Sequence, residues 1–169
     1  RSIYPWGTDL MESVDLVNAA LRDIGGKAIA AISDTTPAGM IAGDVYEIKR
    51  DALLRAHPWN FATKRAQLAR SATAPTFEFD YAYPLPSDWL KNISVHDNDG
   101  GYGTVLYRTE IIGEAEQRAI ICSSEEIYLR YIYRVEDPNQ WTPDFRAVVE
   151  LSLARDAAIK LTSSNTLHD

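Results

Sequence analysis

The sequence is short of the residues that build the commonest reactive centres. Cys122 is the one cysteine among 169 residues, which excludes an intrachain disulfide framework and a cysteine-rich zinc site. The three histidines, His57, His96 and His168, stand far apart, and no His-x-x-x-His or Cys-x-x-Cys spacing occurs. Long apolar runs are missing too. The longest, such as residues 28–32, are a few residues, against about 20 for a membrane span, so no membrane association is expected. Residues 1–10 lack the apolar core of a signal peptide. Basic residues are the minority: 17 Lys and Arg against 24 Asp and Glu, a net charge of −7. That balance argues against a sequence-independent nucleic-acid binder, which needs a basic face.

The rest of the composition is that of a folded domain, with 46% hydrophobic and 24% charged residues. The length suits one domain with a real core. Charge is uneven along the chain. Residues 1–77 hold 9 basic and 8 acidic side chains, residues 78–144 hold 5 and 13, and residues 145–169 hold 3 and 3. In this linear division the acidic excess lies in the middle.

Apolar periodicity predicts three main helices. Leu10, Val14, Val17, Leu21 and Ile24 fall on one face of a first helix. Thr8 or Asp9 is its expected N-cap, and Gly25-Gly26 its stop. A second helix begins at Thr36-Pro37, buries Ile41, Val45, Ile48, Ala52 and Ala56, and ends before Pro58. Trp59-Asn60-Phe61 opens an extended segment to about Leu68. The third helix runs from Pro143 to about Thr162 and is apolar over more than half its circumference, so it needs cover on more than one side.

Between the helices the period changes to two. Strands are expected at 77–81, 89–96, 105–108, 110–112, 119–122 and 126–135, with turns at 97–101 and 136–139. Tyr83-Pro84-Leu85-Pro86 reads as an extended connection. On the last strand, Leu129, Tyr131 and Tyr133 form the expected core face; Tyr128, Arg130, Ile132 and Arg134 form an exposed or contact face. The expected fold is therefore α+β: a small helical bundle with an inserted, mostly antiparallel β unit. It forms a single domain over 1–169, with a helical frame at about 8–70 and 138–165 and the insert at about 77–136.

Catalytic constellations are weak. Asp97-Asn98-Asp99-Gly100 lacks the carboxylates a calcium loop needs at its first and last positions and reads as a turn. Gly100-Gly101-Tyr102-Gly103 fits no phosphate-binding pattern. Glu125 and Glu126, as neighbours on a strand, point apart. Cys122 sits in an apolar run and reads as a buried thiol. No catalytic residue, metal or cofactor is expected. A carboxylate-based hydrolase is the remote alternative, and it would need a cleft holding a paired carboxylate.

Five stretches in order resemble a known family: residues 17–25 (Val-Asn-Ala-Ala-Leu-Arg-Asp-Ile-Gly), residues 53–62 with Pro58-Trp59-Asn60-Phe61, residues 83–90 with Tyr83-Pro84-Leu85-Pro86, residues 129–132, and Phe145 leading into the alanine-rich helix. The chain resembles the head-to-tail adaptors of short-tailed bacteriophages, the tail tubular protein A or tail accessory factor family, over about residues 10–165. The resemblance implies a non-enzymatic virion protein assembled in the bacterial host cytoplasm. It implies a ring of twelve copies between the portal protein and the tail nozzle, through which DNA passes without specific binding. In that family the C-terminal segment engages the portal. Here a polar 162–166 run precedes Asp169, and the portal-binding tail is expected outside this sequence, as in a fragment or trimmed product. The alternative is a neck or head-completion protein of a long-tailed phage or gene-transfer particle, meeting a tail tube.

Within this reading Trp59, Phe61, Tyr102, Phe145, Val149 and Leu153 are the candidate subunit or partner contacts. Asp97 and Asp99 are the candidate acidic residues facing the channel or the nozzle.

Overall fold

A computed structural model describes residues 11–32, 37–113 and 116–165, with side chains described at all of these except 37–44 and 160–165. The class is α+β. Among the described residues three helices, α1 (Ser13–Asp23), α2 (Pro37–Ala56) and α3 (Pro143–Asn165), accompany six strands in two antiparallel sheets. The chain divides into two compact units. One comprises residues 1–53 and 135–169, the other residues 54–134, so the boundary falls in the last turn of α2.

In the helical unit, α1 packs on α3. Leu16, Val17, Ala20 and Leu21 of α1 are buried, at the three- and four-residue spacing that places them on one face. The N-cap is Glu12, whose backbone N–H donates to the Asp15 carboxylate at 2.8 Å; the expected caps Thr8, Asp9 and Thr36 lie outside the described residues. Gly25 has φ +72°, the left-handed conformation that ends helices, and Gly26 N–H donates to the Leu21 carbonyl at 2.7 Å. The Asn18 amide then clamps the returning chain, donating to Ile29 O at 3.0 Å and accepting from Ile29 N–H at 2.8 Å. Lys49 of α2 and Asp156 of α3 are joined at 2.8 Å.

The buried face of α2 differs from the expected one. Ile41 lies outside the side chains described, Val45 is half-buried, Ala52 and Ala56 are exposed, and Ile48 is 68% exposed. Tyr46, Arg50 and Leu54 are buried instead, one helical turn apart. Apolar counting misplaces this face because Tyr46 and Arg50 bury their bodies and satisfy their polar ends. The Tyr46 hydroxyl donates to Ser13 Oγ at 3.1 Å, and Arg50 Nε reaches Asp51 Oδ1 at 2.9 Å.

The other unit holds both sheets. β1 (Thr63–Leu68), β6 (Ile127–Tyr133) and β3 (Trp89–His96) form one, in the order β1-β6-β3. β2 (Tyr81–Pro84), β5 (Gln117–Cys122) and β4 (Arg108–Ile112) form the other, in the order β2-β5-β4. Leu68, Val95, Ile127, Leu129 and Tyr131 from the first sheet share one core with Tyr83, Ile120 and Cys122 from the second. Ile121, the neighbour of Ile120, points the other way into a smaller cluster with Phe79 and Ala82. Burial on both faces makes β5 read as a continuous apolar run.

Several expected elements shift. Residues 60–62 form a 3₁₀ turn rather than extended chain, and the following segment is β1, paired with β6 although it was counted with the helical frame. The alternating 77–81 stretch is not a strand. Phe77 is exposed and Glu78 has φ +72°, so the strand starts at Tyr81 and includes Tyr83 and Pro84. Residues 104–107 lie outside the strands, which leaves β4 alone between the 97–101 turn and β5. On β6 the expected core residues Leu129 and Tyr131 are buried; Ile132, on the other face, is buried too.

Candidate interaction surfaces

The sheet unit is tied together at one point by Asp88. Its carboxylate accepts from the Tyr131 hydroxyl at 3.1 Å and from Lys64 Nζ at 2.7 Å, and its carbonyl accepts from Arg134 N–H at 2.7 Å. Lys64 Nζ also lies 3.8 Å from the centroid of the Tyr133 ring. One aspartate before β3 thus holds β1 and β6. Burial first, and the Asp88 carboxylate second, push the Tyr131 phenol up to about 12. Tyr131 therefore remains a hydrogen-bond donor at any physiological pH. These groups are consumed by each other, which marks the cluster as structural.

Other reactive groups are equally engaged. Cys122 is fully buried, and burial pushes its thiol up, the opposite of what a nucleophile needs. The Tyr83 hydroxyl donates to Ser124 O at 2.6 Å. Among the described residues no group of three or more His, Cys, Asp and Glu side chains could hold a metal ion. No described helix is long and apolar enough to cross a membrane.

The outer face of the β1-β6-β3 sheet is concave and polar. Arg65 of β1, Arg130 of β6 and Ser94 of β3 lie in one cross-strand row; Gln67, Tyr128 and His96 lie in the next. With residues 98–101 they line a depression of about 610 Å³. His96 Nδ1 is 2.8 Å from Gly103 O. Because a carbonyl can only accept, that nitrogen carries the proton. Asn98 holds the loop, with Nδ2 donating to Tyr102 O at 2.7 Å and Oδ1 accepting from Tyr102 N–H at 3.3 Å.

The residues expected to meet partners are scattered. Trp59 and Phe61 are half-buried, their ring centroids 6.0 Å apart, and His57 meets Trp59 edge-on at 5.0 Å. Tyr102 stands 81% exposed at the loop tip. Phe145, Val149 and Leu153 occur every fourth residue and are buried within the helical unit, with Phe145 edge-on to Trp141 at 5.0 Å. Among the described residues, the large apolar side chains that α3 leaves exposed are Val148, Leu151 and Ile159. Asp97 and Asp99 are exposed, and Asp99 sits at the rim of the arginine-lined depression. Sequence reasoning placed Arg130 on a contact face but missed Arg65. The pairing that joins them spans residues 65 to 130, and no local signal announces it.

The two units divide charge differently from the linear segments. Residues 54–134 hold 9 basic and 10 acidic side chains, a net of −1. Residues 1–53 and 135–169 together hold 8 and 14, a net of −6. Glu136, Asp137 and Asp144 belong to the helical unit, whereas Arg55, Lys64, Arg65 and Arg70 belong to the unit that holds the sheets. The acidic excess is therefore a property of the helical unit.

Compared with protein-family models and with curated proteins, the sequence matches none.

Proposed function

We propose that this chain is a head-to-tail adaptor of a short-tailed bacteriophage. In this reading it is a helical bundle carrying an inserted β unit. About twelve copies form a ring that joins the portal to the tail nozzle and extends the channel through which DNA leaves, without catalysis. The observation that carries the reading is the ordered set of resembling stretches from residue 17 to Phe145. The exposed apolar residues of α3 support it. Val148, Leu151 and Ile159 recur at three and eight residues along one helix, and a lone copy leaves them in water. A ring of copies or a portal surface would cover them.

The test is association with the portal protein encoded in the same genome. The purified chain is mixed with portal rings and examined by size measurement and negative-stain imaging. Stacked rings on the portal are the expected result. Portal particles that carry no added density, at micromolar concentrations of both proteins, would refute the adaptor role.

A further inference from the structure

We propose that the arginine-lined face of the β1-β6-β3 sheet is the surface on which the acidic helical unit of a neighbouring copy docks. The inference rests on the adaptor reading and names a lateral contact for its ring.

The first observation is an imbalance in the sheet unit. Nearly every basic side chain there has a partner: Arg55 donates to Leu90 O, Lys91 to Arg55 O, Lys64 pairs with Asp88, Arg108 with Glu78, and Arg70 and Arg118 lie over Tyr81 and Trp89. Arg134 is engaged as well. Arg65 and Arg130 are the exception, since neither guanidinium has a hydrogen bond or ion pair among the described residues. They also face each other directly across the strand pair. Like charges in that position are destabilising. An isolated copy therefore leaves both guanidinium groups without an ion-pair partner among the described residues.

The second observation is shape and chemistry. The depression around them is lined by Gln67, Ser94, His96 and Tyr128, side chains that hydrogen-bond rather than pack. Guanidinium forks match carboxylates two bonds at a time. Asp99 at the rim is the one carboxylate among the lining residues, and Glu126 beside it accepts from the Tyr128 hydroxyl at 3.3 Å; neither pairs with Arg65 or Arg130, so both guanidinium forks stay open to carboxylates from outside.

The third observation is the complement. The helical unit of the same chain carries a net of −6. Glu136, Asp137 and Asp144 are exposed on it within nine positions. The Asn139 backbone and side-chain amides hold the Asp137 carboxyl below its ordinary range, so it stays ionised. Arg146, the cation closest to them in sequence, donates from Nε to Pro138 O at 2.9 Å and from Nη2 to Asn139 O at 3.2 Å, and its charge also acts on Asp137. A basic face on one copy meeting an acidic unit on the next is a heterologous contact, the kind that builds a ring where the rotation between copies closes.

The experiment is a charge swap read on portal-bound rings. The R65E/R130E variant puts acid against acid. The E136K/D144K variant puts base against base. Each is expected to raise the protein concentration needed for ring assembly by about tenfold or more. A chain carrying all four changes is expected to recover assembly, and far-UV circular dichroism checks that each variant folds. Rings that form equally well with R65E/R130E, or a four-fold variant that folds but does not recover, overturn the inference while leaving the adaptor role intact. So does a face that instead holds nucleic acid: in that case R65E/R130E keeps its rings and loses retention of a fluorescent single-stranded oligonucleotide. A wild-type chain that forms no ring on the portal overturns both readings.

Discussion

Replacing Asp88 with alanine is the sharpest test of how the sheet unit is held. Two interactions disappear, and they differ in worth. The Tyr131 hydroxyl loses its acceptor at a residue that is 4% exposed, and a buried donor left unsatisfied costs about 1–3 kcal/mol. The Lys64 pair involves side chains 45% and 31% exposed, so it contributes only about 0–1 kcal/mol. Asp88→Ala is therefore expected to destabilise by about 2–3 kcal/mol, or roughly 5–10 °C in Tm for a chain of this size. Asp88→Asn keeps an oxygen that can accept from Tyr131 and loses only the charge; about 1 kcal/mol or less is expected. Tyr131→Phe removes the donor and leaves a half-solvated carboxylate, for about 0.5–1.5 kcal/mol. The double variant Asp88→Ala/Tyr131→Phe is expected to cost less than the sum of its parts by about 1 kcal/mol, because both changes remove the same bond. Urea unfolding followed by circular dichroism measures all four. Equal losses for alanine and asparagine at position 88, or strictly additive losses in the double variant, would show that the hydroxyl–carboxylate bond carries none of the effect.

Other perturbations separate core from surface. Stability is expected to fall between about pH 10 and pH 12. Below the lower limit Tyr131 is neutral in both states; above it the unfolded chain ionises first, and a displacement to about 12 is worth about 2–3 kcal/mol. Tyr131→Phe should flatten that decline, and an unchanged slope would assign it elsewhere. Phe145→Ala, at a fully buried ring against Trp141, is expected to cost about 3–5 kcal/mol in chemical unfolding. Leu151→Gln, at a residue 65% exposed, should stay within about 0.5 kcal/mol while impairing ring assembly; equal losses at both sites would contradict the burial pattern. The Cys122 thiol should react with a disulfide reagent only at the rate of unfolding, so fast labelling of the native chain would place it at the surface. Reversing Asp97 and Asp99 to lysine is expected to leave DNA ejection unchanged, and altered ejection with intact particles would return these residues to the channel wall.

What the sequence made legible follows from the range of the forces involved. Helix stops and starts are local, so Gly25-Gly26 and Pro37 mark their places correctly. β5 and β6 are visible because their apolar runs are long enough to read alone. β1 is legible as extended chain to about Leu68 but not as a member of a sheet, because Thr-Lys-Arg-Ala-Gln-Leu carries little apolar signal and its ladder partner β6 lies far along the chain. The 77–81 alternation shows the converse error. Its pattern is right, but a left-handed Glu78 breaks the backbone and Phe79 alone of the two phenylalanines turns inward. On α2 the expected face of Ile41, Val45, Ile48, Ala52 and Ala56 counts apolar residues alone, whereas a tyrosine and an arginine with satisfied ends occupy the interior. Phe145, Val149 and Leu153, expected at subunit or partner contacts, are buried in this chain, and the large apolar side chains exposed on the described part of α3 are Val148, Leu151 and Ile159.

The same distance effect governs the charge, and there it changes the functional argument. A linear count assigns a net of −8 to residues 78–144 and suggests an acidic β unit that repels DNA. Folding regroups these residues. It brings the basic β1 and the arginines flanking it to the sheets and gives Glu136, Asp137 and Asp144 to the helices. At a net of −1 the sheet unit has no bulk charge with which to repel a duplex. Screening limits any remaining effect to carboxylates within about 8–10 Å of the phosphates, and Asp99 already stands beside the depression that Arg65 and Arg130 line. Electrostatic repulsion in a channel would have to come from the helical unit. A basic face and an acidic unit on the same chain instead suit contact between copies, where opposite signs must meet at every junction around a ring.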